Sequence, residues 1–283
     1  MQQKQLGHNI LELSIIIGIL GIIYSFTYGI YNYFDLSKKY HDTDIRLQSI
    51  ENSLIDYFKY TKKLPCPTPF SNNENNIKKI NCDNPSYNKC GKGVVRYKDV
   101  YIGTVPVSQI GLDYKMALDP WGNKILYVVD SKFICPKYRT DKEFLSKDNF
   151  YNSKASIIVK GSNLKVITDK AIYSLISHGN NGYGAYDSNN IKRKLSKNLL
   201  ELENADFDNM FIYSYSQSKR KNNKEFDDFV RFKTKQQLVV ESSIAHQISS
   251  EVEINSYFSG TECECTNLTN KEKGDIIFNF CVQ

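Results

Sequence analysis

The residues best suited to do chemistry fall into three groups. Glu12 is a lone carboxylate at the mouth of an apolar run that carries no other charge until Asp35. A short polar leader, MQQKQLG, precedes it, ending in Gly7 and followed by His8. An acid at the centre of a bilayer costs on the order of 2.5–3.5 kcal/mol, and less near its edge, so such a residue calls for a positive partner. Seven cysteines, Cys66, Cys82, Cys90, Cys135, Cys263, Cys265 and Cys281, all follow that run. This distribution fits disulfide chemistry in an extracytoplasmic body, and the odd count leaves at least one thiol unpaired within the chain. Cys263-x-Cys265 lacks the C-x2-C spacing of a zinc site and has no neighbouring histidine. His178, in ISHGNNGYGAYD, together with Cys66 or Cys135, supplies the base and nucleophile types of Cys–His catalysis in an extracytoplasmic enzyme. No H-E-x-x-H, G-x-S-x-G or Walker A pattern accompanies them, and the G-x-x-G-x-G after His178 opens no helix within a βαβ unit. An enzyme is the weakest reading.

The elements that must position these groups begin with the apolar run. Leu13 to Phe34 is 22 residues without Asp, Glu, Lys or Arg, roughly 33 Å as a helix, about the thickness of a bilayer core. Tyr24, Phe26, Tyr28, Tyr31, Tyr33 and Phe34 crowd its far end like an interfacial aromatic belt. No other segment is long and apolar enough to span. Ser14, Gly18, Gly21, Ser25 and Gly29 fall on one helix face, a small-residue stripe that lets backbones approach closely in lipid, with Glu12 on roughly the opposite side. Asp35 to Lys63 contains no Gly or Pro, and Leu47, Ile50, Leu54, Tyr57 and Phe58 recur at helical spacing, so one helix over 10–63 is expected, ended by Pro65.

Gly7-His8-Asn9-Ile10-Leu11-Glu12 followed by an uninterrupted apolar helix resembles the processing and assembly signal of type IV pilins and the pseudopilins of type II secretion. The resemblance implies cleavage by a prepilin peptidase between Gly7 and His8, which makes Glu12 the fifth mature residue. It also implies that Glu12 meets the newly exposed amine of a neighbouring subunit during assembly, and a low-dielectric helix bundle strengthens that attraction. His8 departs from the hydrophobe usual at the first mature position, which bears on its N-methylation. Asn9 stands where threonine is frequent. The implied partners are the peptidase, other pilin or pseudopilin subunits, the inner-membrane assembly platform and the membrane itself. The implied location is the bacterial inner membrane, single-pass with an extracytoplasmic head, and then a pilus or pseudopilus.

The resulting organisation is a leader over 1–7, a membrane and assembly half-helix over 8–34, an amphipathic half over 35–63 and a head over 64–283. LPCPTPFSNNENN is an irregular loop, and three cysteines at 66–92 suit local stapling. Asp119-Pro120-Trp121-Gly122-Asn123 enters a strand at Ile125–Val129. Further strands are expected at 156–159, 164–168, 171–177, 210–215, 229–233 and around 276–280, with helices at 191–204 and 236–250. The fold class is α+β: a long N-terminal helix on an antiparallel sheet with disulfide-stapled loops. DPWGN, with LPCP, G-x-V-P and I-G-L, also resembles major pseudopilins and larger prepilin-like proteins. Calcium follows by the same analogy, with Asp119, Asp130 and Asp187 as the acids near the relevant loops, although no dense ligand string appears. Some pilins close a C-terminal disulfide loop, which here would join Cys281 to Cys263 or Cys265.

Net charge is +6, with basic clusters at Lys192, Arg193, Lys194 and Lys197 and at Lys219, Arg220, Lys221 and Lys224. Such runs are usually solvated surface; DNA is the partner they would otherwise suit. The rival to a filament subunit is a membrane-tethered binding domain that never polymerises.

Overall fold

The computed structural model describes residues 3–70, 90–91, 93–134, 155–214 and 226–242, with side chains from residue 12 onward. Helix α1, Gln3–Thr61, is continuous. Its two halves differ in what surrounds them. Residues 12–34 are exposed throughout, whereas Tyr40, Leu47, Ile50, Leu54, Ile55 and Phe58 are buried against the head. With the buried Thr43, the positions Tyr40, Leu47, Ile50, Leu54 and Phe58 recur every three or four residues, so a single stripe of α1 faces the sheet. The helix stops where Lys62 turns into the left-handed region (φ 55°) and its N–H still reaches Phe58 O at 2.8 Å. This is the usual way for the last carbonyls to be satisfied before a proline.

Among the described residues the sheet has seven strands: β1 (Val95–Tyr97), β2 (Val100–Thr104), β3 (Leu126–Asp130), β4 (Ile157–Gly161), β5 (Val166–Ser177), β6 (Met210–Tyr213) and β7 (Phe229–Thr234). The order is β1-β2-β3-β5-β4-β6, with β7 also paired to β5. The short helices are α2 (Ser131–Ile134), α3 (Leu199–Glu203) and α4 (Lys235–Glu241). The architecture is α+β, but the sheet is mixed rather than antiparallel, because β4 and β6 run parallel, with Val159 opposite Phe211. The chain between those strands is long enough for such a crossover.

Alternation along the strands separates two cores. Tyr101, Tyr127, Val129, Tyr173, Leu175 and Phe229 join α1 on one face. Val100, Ile102, Leu126, Val128, Ile176 and Val230 face the other way with Phe211 of β6, where Phe70 and the loops around Tyr186 and Phe207 cover them. With both faces buried, β2 and β3 have no exposed position at all, as expected for internal strands.

Polar ties fix the helix to the sheet. Arg231 on β7 donates from Nη1 to Glu51 Oε2 at 2.5 Å and from Nη2 to Asp44 Oδ1 at 3.2 Å, both acceptors on α1. Arg46 donates from Nη1 to Leu118 O at 2.6 Å. Trp121 stands edge-on to Tyr40 at 5.4 Å, an arrangement that aromatic quadrupoles favour.

Candidate functional site

Two places in the chain concentrate unusual chemistry. The first is the start of α1. Gly7 and His8 lie within its helical backbone. Glu12 is exposed on the rod, one residue before the apolar stretch. Ser14, Gly18, Gly21, Ser25 and Gly29 share that exposed half, and a Cβ built on Gly18, Gly21 or Gly29 would meet nothing within 4 Å. Ser25 turns its hydroxyl back to Gly21 O at 2.9 Å, leaving the stripe apolar. Among the described residues one helix is long and apolar enough to cross a membrane, and none of its apolar window is buried.

The second is built on the DPWGN turn. Asp119 is buried, and its carboxylate accepts from the backbone N–H of Trp121 (3.0 Å) and Asn123 (2.9 Å). Gly122 sits at φ +81°, a conformation that suits glycine in this turn. The other carboxylate oxygen accepts from Ser177 Oγ at 2.9 Å, and Asn123 Nδ2 donates to Gly179 O at 3.2 Å. These bonds hold the loop that follows β5, which carries His178 and Asn181. Gly179, at φ +60°, lies so close to the facing chain that a Cβ there would come 2.7 Å from Asp227 Cγ.

That close approach brings His178 into a buried acidic group. Glu201 on α3 and Asp227 and Asp228 before β7 are each at most 4% exposed, and one carboxylate oxygen from each lies within 4.8 Å of the others. Each acid uses one oxygen to hold the scaffold. Glu201 Oε1 accepts from Asn181 Nδ2 at 2.7 Å, Asp227 Oδ2 from Asn181 N at 2.9 Å, and Asp228 Oδ2 from Asn204 Nδ2 at 2.8 Å. Asn204 in turn brackets β6, accepting from Ile212 N and donating to Ile212 O. The remaining oxygens, Glu201 Oε2, Asp227 Oδ1 and Asp228 Oδ1, and His178 Nδ1 have no hydrogen-bond partner among the described residues. Burial, reinforced by the neighbouring charges of Asp228 and Glu201, pushes the Asp227 carboxyl up to about 7. Three converging carboxylates out of water are stable only if a proton or a cation neutralises part of their charge.

Of the residues singled out in the sequence, Cys66 and Cys90 come together as a disulfide, which removes Cys66 as a nucleophile. Cys82, Cys135, Cys263, Cys265 and Cys281 lie outside the described residues. So do Lys219, Arg220, Lys221 and Lys224, and the elements expected beyond residue 242. Lys192, Arg193, Lys194 and Lys197 are exposed; Lys192 extends its ammonium over the Phe207 ring at 4.1 Å. His178 is buried, not surface-exposed as its glycine-rich loop suggests. The acids considered for calcium do not converge. Asp119 closes its own turn, Asp130 accepts from Lys132 N, and Asp187 accepts from Asn189 N and Ile191 N. Glu201, Asp227 and Asp228 escape sequence reasoning because Glu201 lies 26 residues before the Asp227–Asp228 pair and each looks like a solvated loop or helix acid.

No protein-family model, characterised protein or solved structure matches this chain.

Proposed function

We propose that this chain is a filament subunit of the pilin or pseudopilin kind, cut after Gly7 and assembled through the exposed half of α1, with Glu12 taking the amine of a neighbouring copy. The observation that carries the reading is the division of α1 at about residue 35. The buried half belongs to a head with its own core, and the exposed half is an apolar rod headed by a lone carboxylate. Water is a poor solvent for that half, so lipid or other rods must cover it. An amine supplied by cleavage gives the carboxylate a partner inside such a bundle. Calcium at Asp119, Asp130 or Asp187 is not part of this reading, since all three acids are engaged in local turns.

Mass spectrometry of the protein from a membrane with active prepilin peptidase tests it. Loss of seven residues is expected, abolished by Gly7→Ala. Glu12→Ala is expected to leave cleavage intact and to deplete the subunit from sheared filaments. Persistence of the intact chain in that host refutes the reading and favours a tethered head that does not polymerise.

A further inference from the structure

We propose that Glu201, Asp227, Asp228 and His178 form a divalent-cation site, selective for a first-row transition ion such as Mn2+ or Zn2+ over Ca2+. The site pins the loop after β5, helix α3 and the entry to β7. It is independent of any role for α1.

Four observations converge. Each carboxylate spends one oxygen on a fixed amide or backbone donor and leaves the other unpaired, so the acids are oriented by their surroundings while keeping a donor atom free. Metal ligands are commonly held this way by hydrogen bonds from outside the coordination sphere. One carboxylate oxygen from each acid, Glu201 on α3 and the adjacent Asp227 and Asp228 before β7, lies within 4.8 Å of the others, close enough to share one ion. His178, on the loop after β5, offers a further nitrogen at the Asp228 side of this group. Its side chain is 2% exposed, its Nδ1 has no partner among the described residues, and that atom points at Asp228 Oδ1 from 3.7 Å. This separation is too long for a hydrogen bond. Two donors 3.7 Å apart that share an ion at roughly 2.1 Å from each subtend an angle of about 120°, within reach of tetrahedral or trigonal-bipyramidal coordination. Finally, Gly179 allows the His178 loop to lie directly on Asp227, an approach that a side chain there would prevent.

The donor set decides the class of ion. Calcium takes about six to eight oxygen ligands, usually with carbonyls and waters completing the shell. Here the unpaired donors are three carboxylate oxygens and one imidazole nitrogen, all buried. Imidazole with carboxylates suits zinc and manganese. Three carboxylates against one dication also leave a residual negative charge, so one acid would keep its proton or the ion would draw in a further positive group.

The test uses the full-length chain in detergent, stripped with chelator and titrated with MnCl2 alone, then with ZnCl2 or CaCl2 as competitor. Bound manganese is read by electron paramagnetic resonance and stability by thermal unfolding. Manganese avoids the thiols that would confuse a zinc titration. One equivalent of Mn2+ is expected, with a melting temperature several degrees higher at a hundred times its dissociation constant. Zinc should displace it, and calcium should need at least about a tenfold excess over manganese. Asp228→Asn should abolish the bound equivalent, and without metal it should melt above the wild type because one buried charge is gone. A misfolded variant could not do that. His178→Gln should weaken Mn2+ binding by about tenfold or more. Manganese retained equally by Asp228→Asn, or none bound by the wild type, overturns the site and leaves a proton as what neutralises the acids. Tighter binding of Ca2+ than of Mn2+ overturns the choice of ion.

Discussion

A chain begun at residue 35 and a chain begun at residue 64 should behave as two different proteins. The first loses only the exposed half of α1. Because residues 12–34 are exposed throughout, its unfolding free energy should match that of the full chain within about 0.5 kcal/mol, the range of surface changes. The second loses Tyr40, Leu47, Ile50, Leu54 and Phe58, of which the last four are 0% exposed. At about 1.5–3 kcal/mol for each buried side chain, these contribute roughly 8–15 kcal/mol, an upper bound because unfolded chains already bury some surface. A typical domain has only about 5–15 kcal/mol in total. The truncation also uncovers Tyr127, Tyr173, Leu175 and Phe229 on the sheet. The chain begun at residue 64 is therefore expected to be unfolded or molten, with no cooperative urea transition by far-ultraviolet circular dichroism. Both forms should be produced in an oxidising compartment so that the Cys66–Cys90 bridge is intact. If the shorter chain melts cooperatively with the midpoint and slope of the longer one, α1 does not contribute to the head core and the two-part reading of the helix fails.

Arg231→Met should cost about 1–3 kcal/mol at neutral pH, since it leaves Glu51, 5% exposed, beside a lost charge; partial exposure of Arg231 keeps the figure below that of a fully buried pair. The Glu51 carboxyl is raised by burial, against the attraction of Lys233 and Arg231 and with the help of Glu241. A raised acid favours the folded state below its pKa and loses that advantage as pH rises through it. Removing Arg231 raises the Glu51 carboxyl further, so the deficit relative to wild type should shrink as pH falls from 7 towards 4, read by urea unfolding at each pH. A deficit that grows on acidification contradicts the sign. Cys66→Ser opens a bridge with a sequence separation of 24 and should lower stability by about 3 kcal/mol; the loss should match that of the wild type unfolded under reductant, unless further bridges exist.

The elements legible in the sequence are those whose signal is local. The rod follows from an uncharged run, and its buried stripe from Leu47, Ile50, Leu54 and Phe58, all now fully buried. Strands β3 and β7 follow from short apolar runs after turn residues. The expected break between 164–168 and 171–177 is absent, because Asp169 and Lys170 lie on an exposed stretch of the single strand β5. A polar pair reads as a turn only when its side chains must leave a buried face. The helix expected over 191–204 forms only from Leu199, since Lys192 is bridged to Tyr186 and the chain has no regular structure from there until Asn198 caps α3. The parallel pairing of β4 with β6, and the meeting of Glu201 with Asp227 and Asp228, depend on tertiary closure and leave no periodic trace. The hydrogen-bonding value of DPWGN was likewise hidden: the motif reads as a turn, but its aspartate also anchors Ser177 and so places His178.

The unbroken course of α1 from its exposed half to the head has a geometric consequence. With neither Gly nor Pro between residues 30 and 63, no hinge separates the two halves, and the azimuth of the head about the rod is set by residue count alone. Adding one residue in the exposed stretch before residue 35 would swing the head by about 100° and raise it by about 1.5 Å. Whatever surface the head presents along a bundle of such rods is thus clocked by the length of the helix. A two-residue insertion should disturb lateral contacts more than a seven-residue insertion, which restores the original bearing to within about 20°.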